Sequence, residues 1–492
     1  MSMQPEAKRP RTDEADAPRC SPCGGCGEAG SSSSAPSAAS RPAGRPKKVW
    51  EEEGFKCPFL DTINRTVLDF DFEKACSIGG NNFNVYACLV CGKYFQGRGK
   101  HTHAFTHSLQ EGHHVYMNLH DGRTYCLPDG YEIVDSSLQD IRNLLFPKYE
   151  KETVSTLDTK PVYARGVDGS DYMPGLIGLN NIKNTDYVNV VVQSLARVPP
   201  VRDFFLLPEN YTHVKSALVR EFGALLRKMW SPSLFKGQVS PHELLQAIAH
   251  ESQNRFKIGT QSDPMDFLAW LLNALHSGLG GTRKPGSSVI HKAFQGEVEI
   301  KTFKAAQEDS EASEIDVETK ATPFLYLTVD VPAAPLFRDA LERNIIPQVP
   351  LFACLTKFDG QTFQEMMNGD RRQYVIKRLP RYLIVHIKRF SKNTQQYVEK
   401  NPTIVNFPVR NLDLAAYTQL SDEDKERGVP TKYHLMTSTQ HDGQPDSGTY
   451  RTFVHFKAND QWYDMQDLHV NGVHPQLISV SESYIQFYET AA

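Results

Sequence analysis

The 492-residue chain is poor in the features that would place a protein in a membrane or outside the cell. No run of 18 apolar residues occurs, so a conventional membrane-spanning helix is excluded. The opening stretch MSMQPEAKRPRTDEADAP has no apolar core and does not read as a secretory signal. A strong charge imbalance is missing too. The chain has 54 Lys and Arg against 58 Asp and Glu, a net charge of −4, which argues against chain-wide attraction to nucleic acid or a membrane surface. Cysteine is scarce, odd in number at nine, and concentrated in the N-terminal part; this favours a reducing compartment and metal ligation over a disulfide framework. Large apolar residues are almost absent before Val49 and Trp50. Residues 1–50, rich in Ser, Pro and Gly, therefore cannot bury enough surface to offset their ordering entropy, and are expected to be a disordered tail. Within that tail, Lys8, Arg9, Pro10 and Arg11 read equally well as a nuclear import signal or a solvated charge run. Cys20, Cys23 and Cys26 also fall there, with no further ligands nearby.

Globular composition begins near Lys56. A first module is expected over 51–148, a linker over 149–170, and a second, larger module over 171–492. The acidic stretch AAQEDSEASEIDVETK, 305–320, interrupts the large module as an exposed loop or extended finger.

The clearest spacing in the chain is CLVCGKYFQGRGKHTHAFTHSLQEGH. Cys88 and Cys91 form a Cys-x2-Cys knuckle, and His107 and His113 follow as a His-x5-His pair. Two thiolates and two imidazoles at this spacing predict a structural, tetrahedral Zn2+ site. A sequence-reading DNA finger fits poorly, because the pattern occurs once and the segment between the ligand pairs holds Gly92, Gly97 and Gly99. The segment resembles the ubiquitin-binding zinc finger found beside ubiquitin-specific proteases. That resemblance implies two further, eroded metal sites, with Phe59 and Asp129 at ligand positions near Cys57 and Cys126, and Gly79 and Gln96 at ligand positions near Cys76 and His103. Cys57, Cys76 and His103 are retained as partial-site candidates. It also implies weakened capture of a ubiquitin tail: Arg98 and Tyr86 match, while Gly99 replaces an aromatic residue.

In the large module, GLNNIKNTDYVNVVVQSL (178–195) reads as a turn followed by a helix, with Val188, Val191, Val192 and Leu195 at buried spacing and Thr185 and Asp186 as N-cap residues. GTQSDPMDFLAWLLNALH predicts a second helix capped by Asp263, with Pro264 first and Phe267, Leu268, Leu271, Leu272 and Leu275 as its stripe. RYLIVHIKRF (381–390) alternates like a strand. These boxes, with DSGTYRTFVHFK and QWYDMQDLHV, resemble the ubiquitin-specific protease catalytic domain. The resemblance implies an α+β fold: a small zinc finger followed by a papain-like domain of fingers, palm and thumb.

It also implies a degenerate site with no catalytic residue. Asp186 stands at the nucleophile position, Thr449 at the histidine position and Gln466 in the Asp/Asn slot, while Asn181 keeps the oxyanion-supporting position. Asp186 is a poor attacker of an amide and Thr449 is no base near neutral pH. Loss of such a triad costs on the order of 10⁴–10⁶ in rate. Cys354, the only cysteine after Cys126, lies in an apolar run and reads as a core thiol.

A protease-like shell with its triad replaced, behind this finger, resembles the catalytically inactive ubiquitin-specific-protease-like proteins of the spliceosome. The stretches CPFLDTINRTVLDFDFEKACSI and YCLPDGYEIVDSSLQDIRNLLFP carry that closeness. It implies a nuclear, non-catalytic scaffold in pre-mRNA splicing, with tri-snRNP proteins and small nuclear RNA as partners. Two other readings stay open at this level: a ubiquitin-binding pseudoenzyme that protects or recruits ubiquitinated clients, and an active deubiquitinase with an unrecognised nucleophile.

Overall fold

A computed structural model describes residues 56–304, 317–332, 346–392, 398–420, 422–445 and 447–491. The tail (1–50), with its basic run and three cysteines, and residues 305–316 of the acidic stretch lie outside the described residues. Val317 to Lys320 of that stretch open a strand rather than a loop.

The N-terminal module is a five-stranded antiparallel sheet of β1 (Val85–Cys88), β2 (Tyr94–Gln96), β3 (Val115–Asn118), β4 (Thr124–Cys126) and β5 (Glu132–Ile133), ordered β2-β1-β3-β4-β5. Helix α1 (His103–Glu111) crosses between β2 and β3 and ends at Gly112 in the left-handed conformation. Helix α2 (Gln139–Leu145) closes one face of the sheet with Ile141 and Leu145, against Leu68, Phe70, Val85, Ala87, Val115 and Met117.

The stretch 149–170, expected as a linker, instead carries helix α3 (Lys151–Thr156) and is tied down. Val154 is buried in the core of the large module, and the Tyr149 hydroxyl donates to the Arg227 carbonyl at 2.7 Å. The Asp158 carboxylate accepts both terminal nitrogens of Arg202, at 2.6 and 3.0 Å. Its polar composition hid one buried valine and the counter-ion of an almost fully buried arginine.

The large module pairs a helical thumb with a long sheet. The thumb is α4 (Asp186–Leu195), α5 (Pro199–Leu206), α6 (Ala217–Met229), α7 (His242–Glu251), α8 (Pro264–Gly278) and α9 (Val289–Phe294). Helix α8 starts as its sequence dictates: the Asp263 carboxylate accepts from the Met265 and Asp266 N–H groups, and Pro264 needs no partner at N1. All five residues of its expected stripe are buried.

The fingers are a sheet ordered β7-β6-β10-β9, from β6 (Gly296–Phe303), β7 (Val317–Phe324), β9 (Gln364–Glu365) and β10 (Arg371–Arg378). The palm is ordered β8-β11-β17-β13-β14-β15-β16. Its strands are β8 (Leu327–Asp330), β11 (Tyr382–Lys388), β13 (Lys432–Asp442), β14 (Thr449–Phe456), β15 (Gln461–Gln466), β16 (His469–Val473) and β17 (Ser483–Thr490). The short β12 (Leu412–Asp413) pairs with β13 off that path. Strand β11 shows how the sheet divides the interior. Tyr382 and Ile384 face the core under the thumb helices, while Leu383, Val385 and Ile387 face a second core, so the period-two pattern sorts apolar residues between two cores.

The finger docks on the thumb through ion pairs. Lys228, 9% exposed, donates from Nζ to the Phe70 carbonyl at 3.1 Å and to Asp71 Oδ1 at 2.9 Å. The other Asp71 oxygen accepts from the Ser240 N–H at 2.9 Å. Lys236 pairs with Asp69 at 3.1 Å, Lys74 pairs with Glu243 at 3.2 Å, and Phe235 enters the finger's core. Removing one partner of a buried pair strands the other's charge, at about 3–5 kcal/mol. Asp71→Ala is therefore expected to lower unfolding free energy by about 3 kcal/mol in urea titrations, against under about 1 kcal/mol for the exposed Arg255–Asp266 pair broken by Asp266→Ala.

Candidate metal centre and the Asp186 site

The knuckle between β1 and β2 turns at Gly92, whose N–H donates to the Cys88 carbonyl at 2.9 Å. Its φ is +74°, and a Cβ there would stand 2.4 Å from the Val67 carbonyl oxygen, so only glycine fits. Cys88 lies at the end of β1 and Cys91 in the knuckle; His107 projects from α1, and His113 follows the Gly112 turn that ends it. One ligand atom from each of the four falls within 4.8 Å of the others. Cys88 Sγ is 3.5 Å from His113 Nδ1, Cys91 Sγ is 3.4 Å from His107 Nε2, and the two nitrogens are 3.1 Å apart. A tetrahedron with Zn–S near 2.3 Å and Zn–N near 2.0–2.1 Å has edges of about 3.3–3.8 Å, so the donor set fits zinc. The hydrogen bond from Cys88 lowers the Cys91 thiol pKa, and the same contact with burial raises that of Cys88. The His107 ring stacks on Phe95 at 4.1 Å, which fixes its plane.

Two of the three partial-site candidates, Cys76 and His103, are brought together and the third is not. Cys76 Sγ meets His103 Nδ1 at 3.1 Å. Cys57 lies elsewhere, accepting from the Tyr131 hydroxyl at 3.2 Å in a pocket shared with Cys126. Phe59 lies against His114, tilted by 31°, with ring centroids 3.9 Å apart. Among the described residues only the Cys88, Cys91, His107 and His113 cluster gathers three or more metal-type donors. At the tail-capturing positions, the Arg98 guanidinium lies 4.1 Å over the Tyr125 ring, and Tyr125 meets Tyr86 edge-on at 6.1 Å.

The second site lies where α4 meets the palm. Asp186 does not cap its helix; Thr185 is the N-cap residue, and the Asp186 side chain reaches across to the sheet. Only 2% exposed, its carboxylate accepts the Tyr450 N–H at 2.9 Å and the Gln261 amide at 2.9 and 3.2 Å. The same Gln261 nitrogen donates to the Gly448 carbonyl at 3.0 Å, so one amide stitches the thumb to the start of β14. Burial raises the Asp186 pKa, against the lowering effect of the Tyr450 and Tyr187 N–H groups, with Asp467 raising it and Gln261 lowering it further. Thr449 is exposed, and the Gln466 amide reaches its hydroxyl at 3.4 Å.

Asn181 is committed to structure. Its Oδ1 accepts the Thr185 N–H at 2.9 Å, and its Nδ2 donates to Asp467 Oδ2 at 3.0 Å. The other Asp467 oxygen accepts from Asn189 on α4 at 2.8 Å, and the Asp467 carbonyl accepts the Leu179 N–H at 2.9 Å. Gln261, Asp467 and Asn189 are the joint's main polar partners beyond the expected positions; Gln261 lies in a recognised box, and Asp467 directly follows the expected Gln466. His441 lies opposite Tyr450 in the sheet, and burial, and secondarily Lys400, hold its pKa down to about 4. Cys354 is buried in the second core, where desolvation raises its thiol pKa. The arrangement supplies acceptors and amides that bind each other, with no thiol or imidazole at the Asp186 position.

Residues 177–488 match the family model described as ubiquitin carboxyl-terminal hydrolase, and residues 76–138 match the zinc finger found in ubiquitin hydrolases and other proteins. The chain belongs to the ubiquitin carboxyl-terminal hydrolase family and carries that family's zinc-binding finger. Within it, the chain is 49% identical to human ubiquitin carboxyl-terminal hydrolase 39 over 452 residues, covering 88% of this chain and 80% of that protein. It is 41% identical to the probable mRNA-splicing protein ubp10 of Schizosaccharomyces pombe, over 88% of each. The crystal structure of an essential yeast splicing factor superposes with a TM-score of 0.72 at 28% identity, covering 88% of this chain and all of that one.

Zinc stoichiometry tests the donor set. Atomic absorption is expected to give about one zinc per chain, almost none in Cys91→Ser, and an unchanged value in Cys76→Ala.

Proposed function

We propose that this protein is a non-catalytic scaffold in pre-mRNA splicing, acting in the nucleus to support tri-snRNP assembly or recruitment. The observation that carries this reading is the cleft chemistry. Asp186, Thr449 and Gln466 occupy the positions where the family's resemblance places nucleophile, base and orienting group, and none can play its part. Hydrolysis of an amide needs an activated nucleophile within reach of a base. Here the carboxylate of Asp186 is bound by Tyr450 N–H and Gln261, and Thr449 offers a hydroxyl that stays protonated. The Asn181 amide that would steady an oxyanion is held by Asp467. Relatives named as splicing proteins, matched along nearly nine-tenths of this chain, support splicing as the setting. In this reading the zinc centre has no chemical step. When bound, zinc holds the finger's fold, and Asp69 and Asp71 hold that finger against the thumb.

The reading is tested by purifying the tagged, full-length protein from nuclear extract and sequencing the co-purifying small nuclear RNAs. Recovery of the tri-snRNP RNAs and proteins is expected. Recovery of ubiquitinated clients without those RNAs would replace it with the ubiquitin-reader function.

A further inference from the structure

The outer end of the thumb carries a positive charge that the chain as a whole, at −4, does not. The thirty residues from Phe267 to Gly296 hold Arg283, Lys284 and Lys292 and no Asp or Glu. The stretch from Asn210 to Arg220 also has no acid, and Lys215 lies within it. The two stretches meet in space. A Cβ on Gly278, the last residue of α8, would stand 2.7 Å from Val219 and 3.2 Å from Ser216, where α6 begins. The acids that bound these stretches are mostly matched. Asp266 pairs with Arg255 at 3.1 Å, Glu297 lies opposite Arg378 in the fingers, and Glu221 answers to Arg220, Lys74 and Lys228. Glu209 alone has no such partner, one acid against four free cations.

The loop between α8 and α9 is held in one shape. The His276 ring lies over His291 with centroids 3.5 Å apart, and His276 Nδ1 meets Ser288 Oγ at 2.7 Å. Gly281 is pressed against His276, where a Cβ would fall 2.2 Å from the ring. The Ser287 hydroxyl donates to the Thr282 carbonyl at 2.7 Å, and the Gly286 N–H donates to Gln295 Oε1 at 3.3 Å. A Cβ on Gly286 would lie 3.7 Å from Lys292 Cγ, so Lys292 runs beside the loop that carries Arg283 and Lys284. Lys215, Arg283, Lys284 and Lys292 are all exposed, and none is engaged in an ion pair among the described residues.

What surrounds these cations selects among anionic partners. From Asp186 to Phe294 no large apolar or aromatic side chain is exposed. A protein partner is held by apolar and aromatic anchors at the centre of its interface, and this surface offers none. Single-stranded nucleic acid is held by bases stacked on exposed rings, which are missing as well. A membrane surface takes apolar side chains below its headgroups. The phosphate backbone of a duplex asks only for cations, since counter-ion release supplies the affinity. We infer that this end of the thumb binds the phosphate backbone of an RNA helix without reading its sequence. The choice of RNA over DNA rests on the splicing reading; the charge argument does not.

The full-length protein is titrated into a fluorescein-labelled RNA duplex of about 20 base pairs, in about 50 mM NaCl, and binding is read by anisotropy. Saturable binding is expected. Replacing two cations of the patch, Arg283→Gln with Lys284→Gln, is expected to weaken it at least about fivefold and to flatten the salt dependence, log K against log salt, by about 2. Replacing two exposed cations elsewhere, Lys151→Gln with Lys160→Gln, is expected to change affinity less than about twofold. Bound RNA is also expected to shield Lys284 and Lys292 from acetylation, read by mass spectrometry, and to leave Lys151 and Lys160 reactive. The inference is overturned by absence of binding, by equal weakening in the two paired variants, or by tighter binding of the matching DNA duplex. It is also overturned if polyglutamate of equal charge displaces the labelled RNA as well as unlabelled duplex does, since an acidic protein would then be the occupant. Any of these results leaves the splicing scaffold standing on protein contacts, and a failure to co-purify small nuclear RNAs leaves this binding measurement untouched.

Discussion

The buried carboxylate of Asp186 joins the two halves of the large module. It sits at the first turn of α4 and takes its hydrogen bonds from the backbone of β14 and from Gln261 just before α8. A buried carboxylate is tolerated only when such donors surround it. Three elements distant in sequence are thereby fixed to one another. Gln261 also bridges Asp186 to the Gly448 carbonyl. Glycine is needed at 448, since a Cβ would fall 2.0 Å from His441 Nε2.

A second joint runs beside the first. Asp71 of the finger accepts Lys228 from α6 and the Ser240 N–H, and the Ser240 hydroxyl accepts from Asn180, two residues into the turn that leads to α4. The finger's edge and the turn that leads to α4 are thus connected by short polar contacts. A scaffold gains from this rigidity, because surfaces on finger, thumb and palm keep a fixed spacing.

Much of this was legible in the sequence where the determinants are local. The Cys88-x2-Cys91 and His107-x5-His113 spacing specified the metal cluster because a knuckle and one helical turn place their own ligands. Asp263 and Pro264 marked the start of α8 because capping is settled within three residues. The failures are long-range. Asp186 looked like an N-cap since periodicity says nothing of Tyr450, 264 residues further on. Residues 149–170 looked like a linker because one valine and one aspartate suffice to anchor them to partners far along the chain. The parting of β13 from β14 beyond Thr437 and Val454 falls where β13 shifts register between Leu435 and Thr437, and one adjacent apolar pair, Leu435 and Met436, is too short a signal to announce it.

Amide hydrogen exchange at Tyr450 tests the central claim, that the buried Asp186 carboxylate is a structural joint, most directly. The account predicts that Tyr450 exchanges as slowly as the paired amides of β14, and at least about 100-fold faster in Asp186→Ala, with Met465 opposite Thr452 unaffected. Fast exchange at Tyr450 in the unaltered protein, or a rate indifferent to the loss of Asp186, would contradict it.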